Sequence, residues 1–314
     1  MFEIRRYTAD KTSEWNDFVA KSKNGTFLFD RCYMDYHQER FRDASMMFYD
    51  KKGLLAVLPA HVEGDCLYSH QGLTYGGLIL SRRVTAVQVC GIFQELNTFL
   101  RDVCHLARVE YKVVPMIYHQ LPSDEALYAL TKVCHAVIKS RDVASVVVLN
   151  QRLPLSELRR RGVRKAQKAG TRVVEMDDFA PFWKVLEANL LTRYQASPVH
   201  SLQEIELLRS RFPEQIRLFV TCCGTEILGG TVLYIDKDVV KTQYISASEQ
   251  GRKLGSLDFL FDVLLDRFAR EGLRYFDFGT SNMKASDDLH ESLIFQKEGF
   301  GGRAICYDTY EWEL

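Results

Sequence analysis

Two stretches of the chain show the same succession of hydrophobic and polar patterns. In each, apolar residues recur at helical spacing, then alternate with polar residues as in half-buried strands, and then return to helical spacing. In the first half this predicts helices over residues 12–22, 31–42 and 84–107, and strands over 45–49, 54–62, 65–70, 109–114 and 145–149. In the second half it predicts helices over 178–193, 201–211 and 253–271, and strands over 215–221, 226–235, 239–246, 273–278 and 303–313.

The two halves are related as an internal repeat. The interval from Phe41 to Gly53 equals that from Phe212 to Gly224, and each pair brackets the first strand of its half. An order of two helices, three strands, helix, strand, helix and strand predicts an α/β (α+β) fold with mixed central sheets flanked by helices. We expect an N-terminal domain over 1–150, a basic junction helix over 151–172 and a C-terminal domain over 173–314.

Composition narrows the function classes. The 314 residues carry 41 basic and 41 acidic side chains, so we do not expect a protein that coats nucleic acid or a membrane surface through bulk charge, and no DNA partner is expected. No apolar run approaches the length of a membrane span, and the charged N-terminus does not resemble a signal peptide. The eight cysteines form no C-x-x-C pair, which predicts free thiols and no metal site. We therefore expect a soluble, cytoplasmic protein.

Positive charge is concentrated at the junction of the halves. Residues 151–172 contain eight basic side chains and the single acid Glu157. One interpretation is a solvated linker helix. The other is a surface for a phosphate-rich ligand such as a nucleotide or RNA, with Arg164 and Lys165 among the binding residues.

Three further stretches carry candidate chemistry in the second half. Arg252, Lys253, Gly255 and Ser256 lie where a strand leads into a helix, which suits an anion as well as an ordinary solvated helix start. Asp277 ends a strand, where it suits proton transfer or the capping of a turn. Lys297 precedes a glycine-rich bend, where it suits an oxyanion or simple exposure at a helix end.

Together these stretches resemble a known family. Arg160-Arg161-Gly162-Val163-Arg164-Lys165-Ala166-Gln167-Lys168-Ala169-Gly170, Tyr275-Phe276-Asp277-Phe278-Gly279 and Lys297-Glu298-Gly299-Phe300-Gly301 are similar to motifs of the FemAB-type aminoacyltransferases and the related FemAB-like GNAT proteins. The resemblance implies tandem GNAT-like domains and acyl transfer to an amine. The donor it implies is acetyl-CoA or another acyl-CoA, or alternatively an aminoacyl-tRNA, and no metal is implied.

The resemblance also implies roles for particular residues. Arg252 to Ser256 would meet the pyrophosphate of the donor, and Phe295 lies near the position where the family's aromatic meets the terminal base of a tRNA. Our hypothesis gives Lys297 charge stabilisation, Asp277 proton removal or amine orientation, and Tyr244 a hydrogen bond to the leaving group or acceptor. A small-molecule or cell-envelope-precursor amine is the expected acceptor. A catalytically silent binder of nucleotide or RNA and a protein-contact scaffold are the alternatives, and the oligomeric state stays open.

Overall fold

The computed structural model describes residues 2–283 and 288–314, which form two compact units. The first unit contains Met1–Asp142 and Cys306–Leu314, and the second contains Val143–Ile305. The C-terminal residues thus fold with the first half of the chain, whereas the sequence pattern assigned them to the second domain. The reason is pairing and packing, because Tyr310 lies opposite Tyr111 in a strand pair and Trp312 is buried in the same hydrophobic core.

The first unit combines helices with two groups of strands. Its helices are α1 (Thr12–Lys21), α2 (Arg31–Met34), α3 (Ala86–Asp102) and α4 (Glu125–Lys132). Its strands are β1 (Glu3–Arg6), β2 (Met46–Asp50), β3 (Gly53–Leu58), β4 (His61–Glu63), β5 (Cys66–Tyr68), β6 (Ile79–Leu80), β7 (Arg108–Lys112) and the first part of β8 (Val137–Val148). The antiparallel sheet β1-β2-β3-β6 forms one group, and in the other β5 pairs with β4 and runs parallel to β7.

A proline divides one predicted strand of this unit. The pattern over 54–62 predicted a continuous strand, but the structure has β3 in one sheet and β4 in the other, with Pro59 and Ala60 between them. Pro59 has no N–H to donate to a strand ladder. The N–H of the next residue, Ala60, donates to the side chain of Ser45 (Oγ, 3.1 Å). The equivalent strand of the second unit has no proline and stays continuous.

The second unit is built on a mixed sheet. Its further strands are β9 (Arg172–Met176), β10 (Ile216–Cys223), β11 (Glu226–Asp236), β12 (Val239–Ala247), β13 (Tyr275–Thr280) and β14 (Arg303–Glu313), whose last residues belong to the first unit. Its helices are α5 (Glu157–Lys168), α6 (Ala180–Tyr194), α7 (Leu202–Arg211), α8 (Glu249–Leu254), α9 (Ser256–Arg270) and α10 (Glu291–Glu298). The sheet order is β8-β13-β12-β11-β10-β9, in which β12 and β13 are parallel and the other neighbours are antiparallel.

Helix α9 covers the core of this sheet. The apolar side chains at helical spacing on this helix are buried, except for Leu257 at its start: Phe261, Leu264, Leu265 and Phe268. Phe261 packs edge-on against the rings of Phe276, Phe278 and Phe300. The predicted helix over 253–271 is two helices, because Gly255 takes a φ of +77° between α8 and α9. The predicted fold class, with mixed sheets and helices in both units, is confirmed.

Candidate functional site

The parallel strands β12 and β13 separate after a short pairing. They are in register only from Val239 opposite Tyr275 to Lys241 opposite Asp277. Beyond that pair β12 continues to Ala247 and β13 to Thr280 without pairing to each other. The two strands therefore diverge and leave an opening in the middle of the sheet.

A cavity of about 220 Å³ lies at this opening. It is lined by the end of β12, by Phe278 of β13 and by side chains from α6, α8, α9 and α10. The lining residues from these helices include Asn189, Arg193, Arg252, Leu257, Gln296 and Lys297. A second cavity of about 400 Å³ shares Asn189, Arg193, Ala247 and Arg252 with the first and adds Lys184, so basic side chains border both.

Lys297 lies in the last turn of α10 and is buried, with 6% of its surface exposed. Its Nζ donates to the carbonyl oxygens of Gly279 at 2.9 Å and Thr280 at 2.7 Å. The pKa of Lys297 is lowered to about 8, chiefly by burial; Asp277 opposes this shift and Lys241 adds to it. Of the two interpretations of the sequence, exposure at a helix end does not fit this lysine.

The bend after Lys297 explains why the lysine is held there. Phe300 is buried and stacks on Phe278 with ring centroids 5.4 Å apart. Gly301 has a φ of +95°, in the left-handed region that favours glycine, and its N–H bonds to the carbonyl of Glu298. The glycines and the phenylalanine of this motif therefore anchor the end of α10 in the core.

Asp277 is completely buried and does not line the cavity. Its Oδ1 accepts from the N–H of Gly279 at 2.7 Å, and its Oδ2 is 3.6 Å from Lys241 Nζ. Gly279 has a φ of +73°, so the carboxylate caps a turn that needs glycine. This geometry favours the capping interpretation over direct proton transfer from an acceptor in the cavity.

Tyr244 faces α6 and α7 rather than the cavity. Its hydroxyl accepts from the N–H of His200 at 3.1 Å and is 2.5 Å from His200 Nδ1, and its ring packs edge-on against Trp183. Burial raises the pKa of Tyr244 to about 12. The structure therefore places this hydroxyl at the segment before α7 and not beside Lys297.

Arg252 is the predicted donor-binding residue that does border the cavities. Its Nη1 donates to Asn189 Oδ1 at 2.9 Å and to the carbonyl of Ala247 at 2.7 Å. These bonds tie α8 to α6 and to the end of β12. A guanidinium fixed at this position lines both cavities, where it suits an anionic group.

The other residues of the predicted anion loop are used differently. Lys253 is exposed and pairs with Glu249 at 2.7 Å, one helical turn away. Ser256 is fully buried, and its Oγ has no hydrogen-bond partner among the described residues. A Cβ at Gly255 would lie 2.6 Å from the carbonyl oxygen of Gly162, so α5 covers the start of α9.

The predicted basic junction is a helix of the second unit. Its exposed basic side chains are Arg160, Arg161, Arg164, Lys165 and Lys168. Arg164 pairs with Glu157 at 2.7 Å. Arg159 turns inward to the Asp258 carboxylate, which leaves the outer face of α5 strongly cationic. Phe295 is 64% exposed on α10 and does not line the cavity, whereas its neighbour Gln296 does.

Sequence reasoning missed Lys241, Asn189 and Arg193. Lys241 carried a visible signal, because an ammonium in the apolar strand that begins Val239-Val240 must be paired when the strand is buried. Asn189 and Arg193 carried no signal in the sequence. They are polar residues of α6, and only the folded structure shows that they line the cavity. In the described residues, no group of three or more His, Cys, Asp or Glu side chains is arranged to hold a metal ion.

Comparison with known proteins agrees with this architecture. Residues 157–286 match the family model described as an acetyltransferase (GNAT) domain. The crystal structure of FemX matches with a TM-score of 0.69 at 11% identity, covering 99% of this chain and 97% of that one. The chain has a tandem GNAT-type fold. A tandem GNAT protein from the clavulanic acid biosynthesis pathway also matches, with a TM-score of 0.50 at 12% identity over 100% of this chain and 98% of that one.

A third solved structure has a similar fold. The structure of L-PGS from Bacillus licheniformis gives a TM-score of 0.61 at 11% identity, with 98% of this chain and 92% of that chain covered. No curated protein matches the sequence. The predicted resemblance to FemAB-like tandem GNAT proteins is confirmed at the level of the fold. Among the described helices, none is both long enough and apolar enough to cross a bilayer.

Proposed function

We propose that the protein is an N-acyltransferase whose reaction takes place at the opening between β12 and β13. The observation that carries the proposal is the cavity at this opening, which is lined by both Arg252 and the buried Lys297. A donor with an anionic part and a reactive carbonyl would find a guanidinium and an ammonium in the lining of one cavity.

The chemistry needs no covalent intermediate on the protein. The nitrogen of a neutral amine attacks the carbonyl of a thioester or ester, a C–N bond forms, and the C–S or C–O bond breaks. The leaving sulfur or oxygen ends with the proton that the amine loses. In its charged form, Lys297 would stabilise the negative charge that develops on the carbonyl oxygen. Asp277 would hold the turn beside Lys297, as its contacts with Gly279 indicate.

Two donors are candidates, and a different observation favours each. An aminoacyl-tRNA is favoured by the cationic outer face of α5 and by the way Gly162 covers the start of α9, where a GNAT-type pyrophosphate would otherwise bind. The match to FemX supports the same class, because the FemAB resemblance of the sequence implies an aminoacyl-tRNA as one possible donor. An acyl-CoA is favoured by the match of residues 157–286 to an acetyltransferase domain and by the basic rim of the second cavity.

The acceptor is proposed to be an amine, and an amine on a cell-envelope precursor is the class that the FemAB resemblance suggests. A catalytically silent protein that binds RNA through α5 is the second candidate function. The exposed side chains of α5 support binding to RNA, while the buried Lys297 beside a cavity supports catalysis. Binding without turnover would favour the silent protein.

The test measures transfer from each donor to a panel of primary amines. Release of free thiol from acetyl-CoA reports one reaction, and loss of the amino acid from charged tRNA reports the other. We expect Lys297→Ala to lower turnover by about 100-fold or more, because its charge acts in the transition state. Lys132→Ala, which removes an exposed lysine from α4 of the first unit, is the matched control and should retain parental turnover.

Two outcomes of this test would contradict the proposal. Parental turnover in a folded Lys297→Ala variant would remove this lysine from the mechanism. Absence of turnover with both donors, together with salt-sensitive binding of tRNA, would replace the enzyme by the silent binder. A thermal melting curve for each variant separates loss of chemistry from loss of fold.

A further inference from the structure

The ion pair at the point where β12 and β13 separate is the most unusual feature of the site. Lys241 and Asp277 are the last residues in register, and their side chains are only 9% and 0% exposed. Charged side chains are rarely buried to this degree unless they are paired. The strands therefore diverge directly after a buried ammonium–carboxylate contact.

The same carboxylate also shapes the turn that follows. Oδ1 of Asp277 accepts from the N–H of Gly279, and a Cβ on Gly279 would lie 3.2 Å from Lys241 Nζ. The carbonyl oxygen of Gly279 then accepts from Lys297 Nζ, as does that of Thr280. A continuous set of contacts thus leads from Lys241 through Asp277 and the Gly279 turn to Lys297.

We propose that Lys241 is a positioning residue for Lys297, acting through Asp277 and the turn at Gly279. This inference rests on the proposed function only for the catalytic role of Lys297. The pair sets where the two strands part and holds the carbonyl groups that receive the Lys297 ammonium. It also sets the local charge, because the Asp277 carboxylate raises the pKa of Lys297 and the Lys241 ammonium lowers it.

The charge balance has a consequence for each partner. Removing Lys241 leaves Asp277 to interact with Lys297, which favours the charged form of Lys297 and raises its pKa. Removing the charge of Asp277 leaves two ammonium groups close together, which lowers the pKa of Lys297. The other charged groups that border this cavity are Arg193 of α6 and Arg252 of α8, and they stay the same in both variants.

The first measurement follows the Lys297 side chain directly and needs no substrate. In protein labelled with ¹³C and ¹⁵N at lysine, the Cε–Nζ correlation of Lys297 is identified by its loss in Lys297→Met and is then followed against pH. We expect its titration midpoint to rise by about one pH unit in Lys241→Met and to fall by about one pH unit in Asp277→Asn. Thr242→Val changes a buried neighbour, whose Oγ1 donates to the Asp277 carbonyl at 3.5 Å, without changing charge. This control should leave the midpoint unchanged.

Opposite movements in the two charge variants would support the proposal. An unchanged midpoint in both, or movement in the same direction, would overturn it. Because Asp277→Asn can fail to fold, the Lys241→Met/Asp277→Asn double variant provides a second test. It removes both charges together, so its midpoint is expected below that of Lys241→Met, because the raising effect of Asp277 on Lys297 is lost. A midpoint equal to or above that of Lys241→Met would contradict the coupling.

The second measurement is the pH profile of acyl transfer. If the proposed function holds, the limb that reports Lys297 should move with the midpoint measured by NMR, whereas a merely structural role would lower the rate equally at all pH values. If no donor is turned over, the proposed function fails while the NMR titration still decides the coupling. The two failures are therefore distinguishable.

Discussion

The burial of Lys297 predicts how the free energy of unfolding depends on pH. In the folded protein its pKa is about 8, against an ordinary value of 10.5. Between these values the unfolded chain binds more protons than the folded one, so the free energy of unfolding rises with pH through this window. The penalty for burying the ammonium is fully present below pH 8 and disappears above pH 10.5. The difference between the two pKa values corresponds to about 3 kcal/mol.

The perturbation that isolates this effect is Lys297→Met, which keeps a side chain of similar length without the charge. The absolute stability of the variant combines two opposed changes, since Met avoids the burial penalty but leaves the carbonyls of Gly279 and Thr280 without the Lys297 donor. The pH dependence of the difference does not share this ambiguity, because groups common to both proteins cancel.

Urea denaturation at about pH 7 and about pH 9.5 measures the difference. Relative to Lys297→Met, the parent protein is expected to gain about 2 kcal/mol of unfolding free energy between the two pH values. Lys168→Met, which removes an exposed lysine from α5 of the same unit, is the control. Because this variant keeps Lys297, the difference in unfolding free energy between the parent and Lys168→Met should not change between the two pH values. A difference that stays flat or falls with pH would refute the argument that burial governs the protonation of Lys297.

Two further predictions concern the surroundings of the site, one at Gly255 with Gly272 as its control and one at Tyr244. Gly255→Ala is expected to lower stability by at least about 2 kcal/mol, because its Cβ would lie 2.6 Å from the carbonyl of Gly162 in a left-handed conformation. Gly272 also has a positive φ, +86°, but a Cβ there would meet open space. Thermal melting should therefore show a smaller loss of stability for Gly272→Ala than for Gly255→Ala. Tyr244→Phe removes the hydroxyl bonded to His200 and is expected to cost about 1 kcal/mol in urea denaturation. Because Tyr244 does not border the cavity, turnover should fall far less than in Lys297→Ala, and an equal fall would contradict this placement.

The sequence was sufficient for the fold class, and it drew attention to Lys297 as a candidate site residue. Periodic apolar positions located the strands and helices, and the glycine-rich bend after Lys297 singled out that residue. The pattern did not predict the break at Pro59, although a proline, which cannot donate within a strand ladder, is a local signal for it. These features are local, so one chain segment contains all the information that they need.

The remaining features of the site depend on long-range pairing. The role of Asp277 follows from its position opposite Lys241 in register, and this register is set by the whole sheet. Arg252 acquires its position from Asn189, a residue of a distant helix. Neither partner can be recognised from spacing along the chain, because the intervening segments fix their distance only after folding.

The return of the C-terminal residues to the first unit also affects the order of folding during synthesis. Residues 143–305 are continuous in sequence and contain every strand-pairing partner needed for the sheet from β9 to β13. The first unit, by contrast, awaits residues 306–314, since β7 pairs with the end of β14 and Trp312 fills its core. On the ribosome, the half that is made first therefore completes its core last, and until then the edge of β7 and the space for Trp312 are open to other chains.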